Sequence, residues 1–192
     1  MLLTRAAKKF DTNTYDGYDG TKWVPEVIKG SLESFGRVIN EREHSSLRRN
    51  LTSSEQLPRE YPLLRSANGE VYLLVSSSVD TTRDIYSTYI YLLQKATHTA
   101  NIISFTKTDS ASGMGGDIYE TTTYSVPCYI QRTSSNNADA GLDFVVYTRF
   151  RALLPSYVTP TEGGELEIED KRYTIKEVDT ELNMKRAYLL EK

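Results

Sequence analysis

Few residues of this 192-residue chain could act as the general base in nucleophilic catalysis. Such chemistry needs a Ser, Cys or Thr beside a general base. His44 and His98 are the only histidines, and both lie in polar, loop-like stretches outside any catalytic motif. The single cysteine, Cys128, is interpreted as a small buried apolar residue. These residues do not predict a nucleophilic enzyme.

Carboxylates of the kind that serve as a general acid and base are concentrated in one segment, 162–170 (EGGELEIED), where five acids surround a Gly-Gly pair. Acid-base hydrolysis needs two carboxyl groups held at a defined separation in a pocket. Nothing in the pattern brings two of these acids together in that way. The segment is predicted to be a solvated turn and a short strand, and we expect the chain to have no catalytic residues.

Two further stretches can be compared with ligand-binding motifs. Asp11, Asp16 and Asp19 lack the closing glutamate and the alternate-position ligands of a calcium loop. The glycine-rich segment 108–116 (TDSASGMGG) lacks the Lys-Ser/Thr ending and the following helix of a phosphate cradle. We therefore expect neither a bound metal nor a cofactor, and interpret both stretches as turns or loops.

The charge distribution argues against specific recognition of nucleic acid. The formal net charge is -3, and the basic residues are spread along the chain instead of forming a patch. A single cysteine fits a protein assembled in a reducing cytoplasm. No apolar stretch approaches the roughly 18 residues that span a bilayer, and the apolar run at the N-terminus is too short for a secretory signal. We expect a soluble protein without a membrane partner.

The composition favours β structure. Fourteen tyrosines, with many Thr, Ser and Val residues, suit a pleated and half-buried surface. The Asn68-Gly69 pair predicts a tight turn before a strand at 70–79. Segment 85–94 is predicted to be a strand, with a helix as the alternative, and Trp23 is expected to be a packing anchor. The fold class predicted is mainly β, a small antiparallel barrel or sandwich with long loops.

Two polar segments of the first half are predicted to contact partners. Residues 1–20 are predicted to be a flexible arm, because segment 11–20 (DTNTYDGYDG) contains two Gly among several Asp and Asn residues. Segment 41–57 is charged and is interpreted as an exposed helix or an excursion, because it can bury little apolar surface of its own. In addition, 71–81 distantly echoes 172–180, which hints at two similar β layers.

The second half has a clearer strand pattern. Strands are predicted at 101–107, 117–131 and 142–154, followed by a hairpin at 171–192 in which Tyr188 and Leu190 share a face. Pro127 cannot donate to a ladder, so it marks an edge or a bulge. The alternation predicts a buried set that contains Leu189 or Leu190 together with Phe144, Val146, Phe150, Tyr173 and Ile175.

The order of these segments resembles the head-tail connector proteins of tailed bacteriophages, in particular the stopper or head-completion family. The segments that carry the resemblance are IISFTK, VPCYIQ, VVYTRFRALLP, GGELEIEDKRYTIKEVD and RAYLLE. In that family a strand of the type dG-x-x-Y-x-V/I and a closing strand complete a small β-barrel, and Asp170, Lys171, Tyr173 and Ile175 stand in those places. The resemblance implies a stopper-like barrel over 101–192. Residues 1–100 are then an N-terminal extension with additional hairpins and a partner-contacting arm.

The function implied by the resemblance is structural. Such proteins form a homo-oligomeric ring in the virion neck, assembled in the host cytoplasm between the portal or adaptor and the tail, where they retain packaged double-stranded DNA and support tail attachment. The near-neutral charge suits a channel along which DNA slides, because dense Lys and Arg would bind phosphates tightly. The alternatives are a tail terminator or tail-completion protein, an unrecognised small enzyme, or a binding module.

The connection at 132–141 is longer and more polar than a tight hairpin needs. By resemblance it reaches into the central channel and helps to close it, while the alternative is an ordinary mobile surface loop. Its candidate channel residues are the basic residue at its base, four neutral polar residues and one acid: Arg132, Ser134, Ser135, Asn136, Asn137 and Asp139.

Overall fold

A computed structural model describes residues 13–34, 47–57, 61–80, 87–108, 118–134, 148–181 and 183–191. These residues form β-strands and turns, with no α-helix among them. The mainly-β fold predicted from the composition is therefore confirmed. Within these ranges, no helix is long and apolar enough to cross a membrane.

The first six strands close into a barrel, which we call barrel 1. Every pairing in it is antiparallel, and the strand order around it is β1-β2-β3-β6-β5-β4. The Asn68-Gly69 turn forms as predicted, with Gly69 at a positive φ of 85°. The strands are β1 (Asn13–Tyr18), β2 (Trp23–Ser34), β3 (Arg48–Ser53), β4 (Leu63–Ser66), β5 (Val71–Asp80) and β6 (Thr88–Lys95).

The last six strands close into a second barrel, barrel 2, with the order β10-β11-β12-β9-β8-β7. The chain divides into two compact units, one of residues 1–96 with 155–157 and 181–184, the other of 97–154, 158–180 and 185–192. The strands of barrel 2 are β7 (His98–Thr108), β8 (Ile118–Ser134), β9 (Thr148–Pro155), β10 (Glu165–Ile168), β11 (Lys171–Glu181) and β12 (Met184–Glu191).

The two barrels follow the same path through space. In each, the first three strands lie side by side, the third pairs with the sixth, and the fifth and fourth lead back to the first. The similar segments 71–81 and 172–180 lie along the fifth strand of each barrel, β5 and β11. The weak sequence echo thus falls on equivalent elements.

The register of pairing is the same at the fourth strand of each barrel, although a bulge between Tyr15 and Gly17 shifts the β1–β2 register and the β7–β8 ladder has no such shift. Leu64 of β4 lies opposite Tyr72 and Gly17, and Leu166 of β10 lies opposite Tyr173 and Ile102. The equivalent pairs Leu64 and Leu166, Tyr72 and Tyr173, and Leu74 and Ile175 are all buried. Because a slip of one residue would turn every side chain to the opposite face, this agreement fixes which residues of β4 and β5 correspond to those of β10 and β11.

Within the N-terminal extension predicted over 1–100, the strands close into barrel 1. Two predictions for the first half are corrected. Residues 13–18 of the predicted arm are strand β1, whose Tyr15 is buried. Position 17 of this strand is a glycine because a Cβ atom would lie only 2.5 Å from the Tyr61 ring. The charged segment 41–57 contributes strand β3, with Leu51 fully buried.

The terminal hairpin forms as β11 and β12. Tyr173 and Ile175 are buried. In β12, Leu189 is buried, in agreement with the prediction that Leu189 or Leu190 lies in the core, while Tyr188 and Leu190 are both half-buried. Phe150, predicted to be largely buried, is half-buried and lies edge-on to the Tyr173 ring, with the two ring centroids 5.2 Å apart. Phe144 and Val146 lie outside the described residues.

Candidate functional site

The predicted channel loop begins at the end of the β8–β9 hairpin. Arg132 is exposed on β8 and lies opposite Phe150, and the last pair of the ladder is Ser134 with Thr148. The strand therefore runs three residues into the predicted loop, and the connection between the strands is 135–147. Four candidate residues lie in this connection, outside the described residues: Ser135, Asn136, Asn137 and Asp139.

The base of this loop is held by contacts between the two strands. Gln131 is buried and lies opposite Arg151, whose Nη2 donates a hydrogen bond of 2.7 Å to Gln131 Oε1. The neighbouring Phe150 packs on Tyr173. A charge-assisted bond within the ladder and an aromatic contact beneath it give the loop a fixed starting point.

Barrel 1 has a connection at the equivalent place. Ser31 lies opposite Thr52 in barrel 1 as Tyr129 lies opposite Leu153 in barrel 2, and the ladders continue in step to Ser34 and Arg132. The connection that comes after Ser34 in barrel 1, at 35–46, therefore corresponds to 135–147. This correspondence supplies an internal reference for the candidate channel loop.

A second candidate surface lies at the other end of β8. In barrel 1 the first hairpin ends at the pair Tyr18 and Trp23, which a short turn at 19–22 connects. There the Asp19 carboxylate accepts hydrogen bonds from the Thr21 and Lys22 amides. The equivalent pair in barrel 2 is Ile103 and Thr123, beyond which β7 and β8 continue for five more pairs, from Ser104–Thr122 to Thr108–Ile118. We call residues 104–108 and 118–122 the ribbon.

The ribbon projects beyond the strands that close barrel 2. Phe105 is 44% exposed. Residues 120–123 are all exposed although successive side chains point to opposite faces, so both faces of β8 are uncovered over these residues. Strand β10 pairs with β7 only at 101–103, and β9 pairs with β8 only at 129–134. Among the described strands, none pairs with the outer edges of the ribbon.

Pro127 lies where β8 pairs with β7 on one side and has no paired strand on the other. It lies opposite Thr99 of β7, two residues before the first β8–β9 pair at Tyr129. A proline that lacks an amide proton is tolerated where a strand has an open side. The edge predicted from this residue is therefore present.

A polar and aromatic cluster in barrel 1 accounts for two of the aspartates compared with calcium ligands. The Arg65 guanidinium lies 4.5 Å from the centroid of the Trp23 ring, and its Nη2 is 2.8 Å from Asp16 Oδ2. The hydrogen bond from Arg65, together with one from the Glu26 amide, lowers the pKa of Asp16. Asp16 thus fixes an arginine, and Asp19 caps the turn at 19–22.

Two of the residues considered for catalysis, His98 and Cys128, lie opposite each other in the β7–β8 ladder, and His44 lies outside the described residues. Cys128 is fully buried, and burial raises the pKa of its thiol to about 12, so the thiolate is strongly disfavoured. His98 Nε2 lies 3.4 Å from a Glu169 carboxylate oxygen. No group of three or more His, Cys, Asp or Glu residues in the described ranges is arranged to hold a metal ion.

The sequence predicted strands at 101–107 and 117–131 but not the ribbon. The signal in the sequence was the run of β-formers IYETTTYSV, at 118–126. Whether such a run projects depends on where β9 and β10 stop pairing, which is a long-range property.

No protein-family model, curated protein or solved structure matches this chain.

Proposed function

We propose that this chain is a structural protein of the neck of a tailed-bacteriophage virion, where copies of it form a ring between the portal or adaptor and the tail. The observation that carries the proposal is the ribbon, a projecting pair of strands that barrel 2 does not need for closure. A projection with open edges on a closed barrel is suited to binding other subunits. The order of the strand segments in 101–192 supports the phage assignment by its resemblance to stopper proteins. In this proposal the chain is not an enzyme.

Within the ring, the connection at 135–147 faces the channel and helps to retain the packaged double-stranded DNA. Its base is anchored by the bond between Gln131 and Arg151. The candidate residues within it are neutral apart from Asp139, so they can touch the DNA end without binding phosphates strongly. Arg132, exposed at the base, supplies a cation.

The complete barrel in residues 1–96 favours one alternative in the same class. A second closed barrel exceeds what a minimal stopper needs. The added barrel suits a protein that contacts a further layer of the neck, such as a tail terminator or a tail-completion protein. Imaging of the particle distinguishes these, because a stopper lies directly below the portal or adaptor and a terminator lies at the end of the tail tube.

The first experiment asks whether the chain is in the particle. A phage genome that encodes this chain is given an epitope-tagged copy, and purified particles are imaged by averaging about the neck axis. We expect the tag in a ring at the head-tail junction. Particles that lack the chain, or that carry it outside the neck, contradict the proposed function.

The second experiment compares the two equivalent connections. Replacing 135–147 by a two-residue turn should leave barrel 2 folded but let packaged DNA leak from the head. The matched control replaces 35–46, the equivalent connection of barrel 1, in the same way. DNA retained per head is measured by nuclease protection. If both variants retain DNA normally, the channel assignment of 135–147 is wrong; if both leak equally, the effect is not specific to it.

A further inference from the structure

We propose that the ribbons of neighbouring copies pair edge to edge around the ring axis and form a closed antiparallel β-barrel, to which each copy contributes two strands. This inference rests on the ring proposed above. It goes further by assigning the contact between copies to two defined edges, the β7 edge at 104–108 and the β8 edge at 118–122.

The first argument concerns backbone hydrogen bonds. A strand edge presents a row of amide and carbonyl groups, and natural proteins block such edges with Pro, bulges or a covering element. The ribbon contains no proline and no glycine, and its five pairs run without a register shift. Among the described strands, none covers either edge. The chemistry that fits such an edge is another extended strand.

The second argument identifies that strand as the same ribbon of a second copy. Both edges are open on one ribbon, so a single partner strand satisfies only one of them. A two-fold pairing of β8 with β8 also leaves both β7 edges open. Head-to-tail pairing of β7 with β8 of the next copy satisfies every edge when the rotation between copies closes the contact into a ring. Because β7 and β8 are antiparallel, the strand direction alternates throughout.

The third argument concerns the side chains that would meet. Phe105 is exposed on the β7 side, and Thr121, Thr122 and Thr123 are exposed on the β8 side. Contacts between aromatic and β-branched residues across strands stabilise sheets, as do hydrogen bonds between Ser and Thr. The exposed residues of the ribbon are therefore of the types that pair well with one another. Pairing between copies would also cover one of the largest exposed apolar side chains in the described residues.

The test uses disulfide formation between two single-cysteine variants of the full chain, Ser104→Cys and Thr122→Cys, one of them carrying a tag that changes its size. Ser104 and Thr122 lie on opposite edges of one ribbon. The native Cys128 is fully buried and does not compete. The variants are mixed at high concentration and oxidised, and the products are separated by mass. The control is Arg172→Cys, an exposed residue of β11, whose neighbours in the barrel are β10 and β12.

Head-to-tail pairing predicts that the mixed Ser104→Cys to Thr122→Cys product exceeds both homotypic products and any product of the control. Equal yields of all products indicate random collision and overturn the proposal. A dominant Thr122→Cys homodimer contradicts head-to-tail pairing and indicates two-fold pairing of β8 with β8 instead. A chain that stays monomeric by sedimentation at high concentration also contradicts it.

A second variant removes the ribbon by grafting a turn from barrel 1. This turn closes the equivalent hairpin of barrel 1, so we expect barrel 2 to fold with it. Replacing 104–122 by the barrel 1 turn Asp19-Gly20-Thr21-Lys22 joins Ile103 to Thr123, as that turn joins Tyr18 to Trp23. The graft should keep the wild-type circular dichroism spectrum and lose the oligomer. A graft that oligomerises normally overturns the inference. The two proposals fail separately: a neck ring without the mixed disulfide leaves the function standing, and the disulfide in a chain absent from particles leaves the pairing standing.

Discussion

Barrels 1 and 2 share a strand order, and they share a register where the fourth strand pairs with its neighbours, so their differences can be located on equivalent strands. The pair Tyr18 and Trp23 closes the first hairpin of barrel 1 with a short turn, whereas the equivalent pair Ile103 and Thr123 carries the ribbon. A barrel of this path therefore closes equally well with a turn or with a long projection at this pair. This difference distinguishes the residues that form the barrel from those of the ribbon, which are added to it. The added residues are the first place to look for function.

The two interiors differ in chemistry as well. Barrel 1 buries Tyr15, Tyr72 and Tyr91, whereas the buried side chains of barrel 2 are mostly aliphatic, with Tyr173 among the exceptions. A buried hydroxyl needs a hydrogen-bond partner. Barrel 1 therefore depends on a set of buried polar contacts, and barrel 2 depends more on apolar volume.

The largest effect on stability is expected at Leu64 and Leu166, which occupy equivalent positions in the two barrels. Leu64→Ala and Leu166→Ala each remove a fully buried side chain and should each lower the free energy of unfolding by about 2 to 5 kcal/mol. Urea denaturation followed by circular dichroism measures both. Phe150→Ala should cost less than Leu166→Ala because Phe150 is half-buried. Equal costs for those two would place Phe150 in the core after all.

An intermediate effect is expected from the buried hydroxyl of Tyr91. This hydroxyl accepts a hydrogen bond from the Leu57 amide and donates one of 3.2 Å to the Glu55 carbonyl. Tyr91→Phe leaves the buried amide without this acceptor and should cost about 1 to 3 kcal/mol. Thermal unfolding measures the loss.

The matched variant in barrel 2 is Tyr173→Phe. The Tyr173 hydroxyl makes no hydrogen bond to the described residues, and burial is the main cause of the raised pKa of this tyrosine. Its removal should change stability less than Tyr91→Phe does. Equal losses from the two variants would mean that the barrels do not differ in their dependence on buried polar contacts.

Much of this fold could be predicted from local patterns. The Asn68-Gly69 turn and the burial of Tyr173 and Ile175 follow from turn chemistry and from alternation. Strand β1 could not be predicted because Gly17 and its neighbouring aspartates resemble a flexible arm. The structure shows instead that Gly17 gives space to the Tyr61 ring and that Asp16 binds Arg65. These are contacts over long sequence separations, which local patterns do not contain.

The candidate sites were less accessible to sequence than the fold. The resemblance pointed to the connection after Arg132, and the structure supplies only its base, Gln131 and Arg151. The ribbon consists of ordinary strand residues, so no motif distinguishes it. The ribbon is recognised only by comparison with barrel 1, in which the equivalent hairpin ends in a short turn.

The smallest effect is expected from an ion pair whose polarity is reversed between the barrels. Glu70 pairs with Lys95 in barrel 1, and Lys171 pairs with Glu191 in barrel 2. Hydrogen bonds from Lys95 and then from the Tyr72 hydroxyl lower the pKa of Glu70 to about 2. Since the folded state lowers this pKa, the ionised Glu70 stabilises the fold above the ordinary carboxylate range, and that stabilisation is lost as the pH falls towards 2.

Glu70→Gln should therefore lower stability at pH 7, and the difference from wild type should vanish near pH 2. The Glu70 and Lys95 side chains are 34% and 32% exposed, so solvent screening limits the loss to about 1 kcal/mol or less. Chemical denaturation across the pH range measures it, and added salt should reduce it. The control is Glu191→Gln, whose pair with Lys171 is more exposed and should matter less. A larger or pH-independent loss in Glu70→Gln would show that the acceptor for Tyr72, and not the charge, stabilises this end of barrel 1.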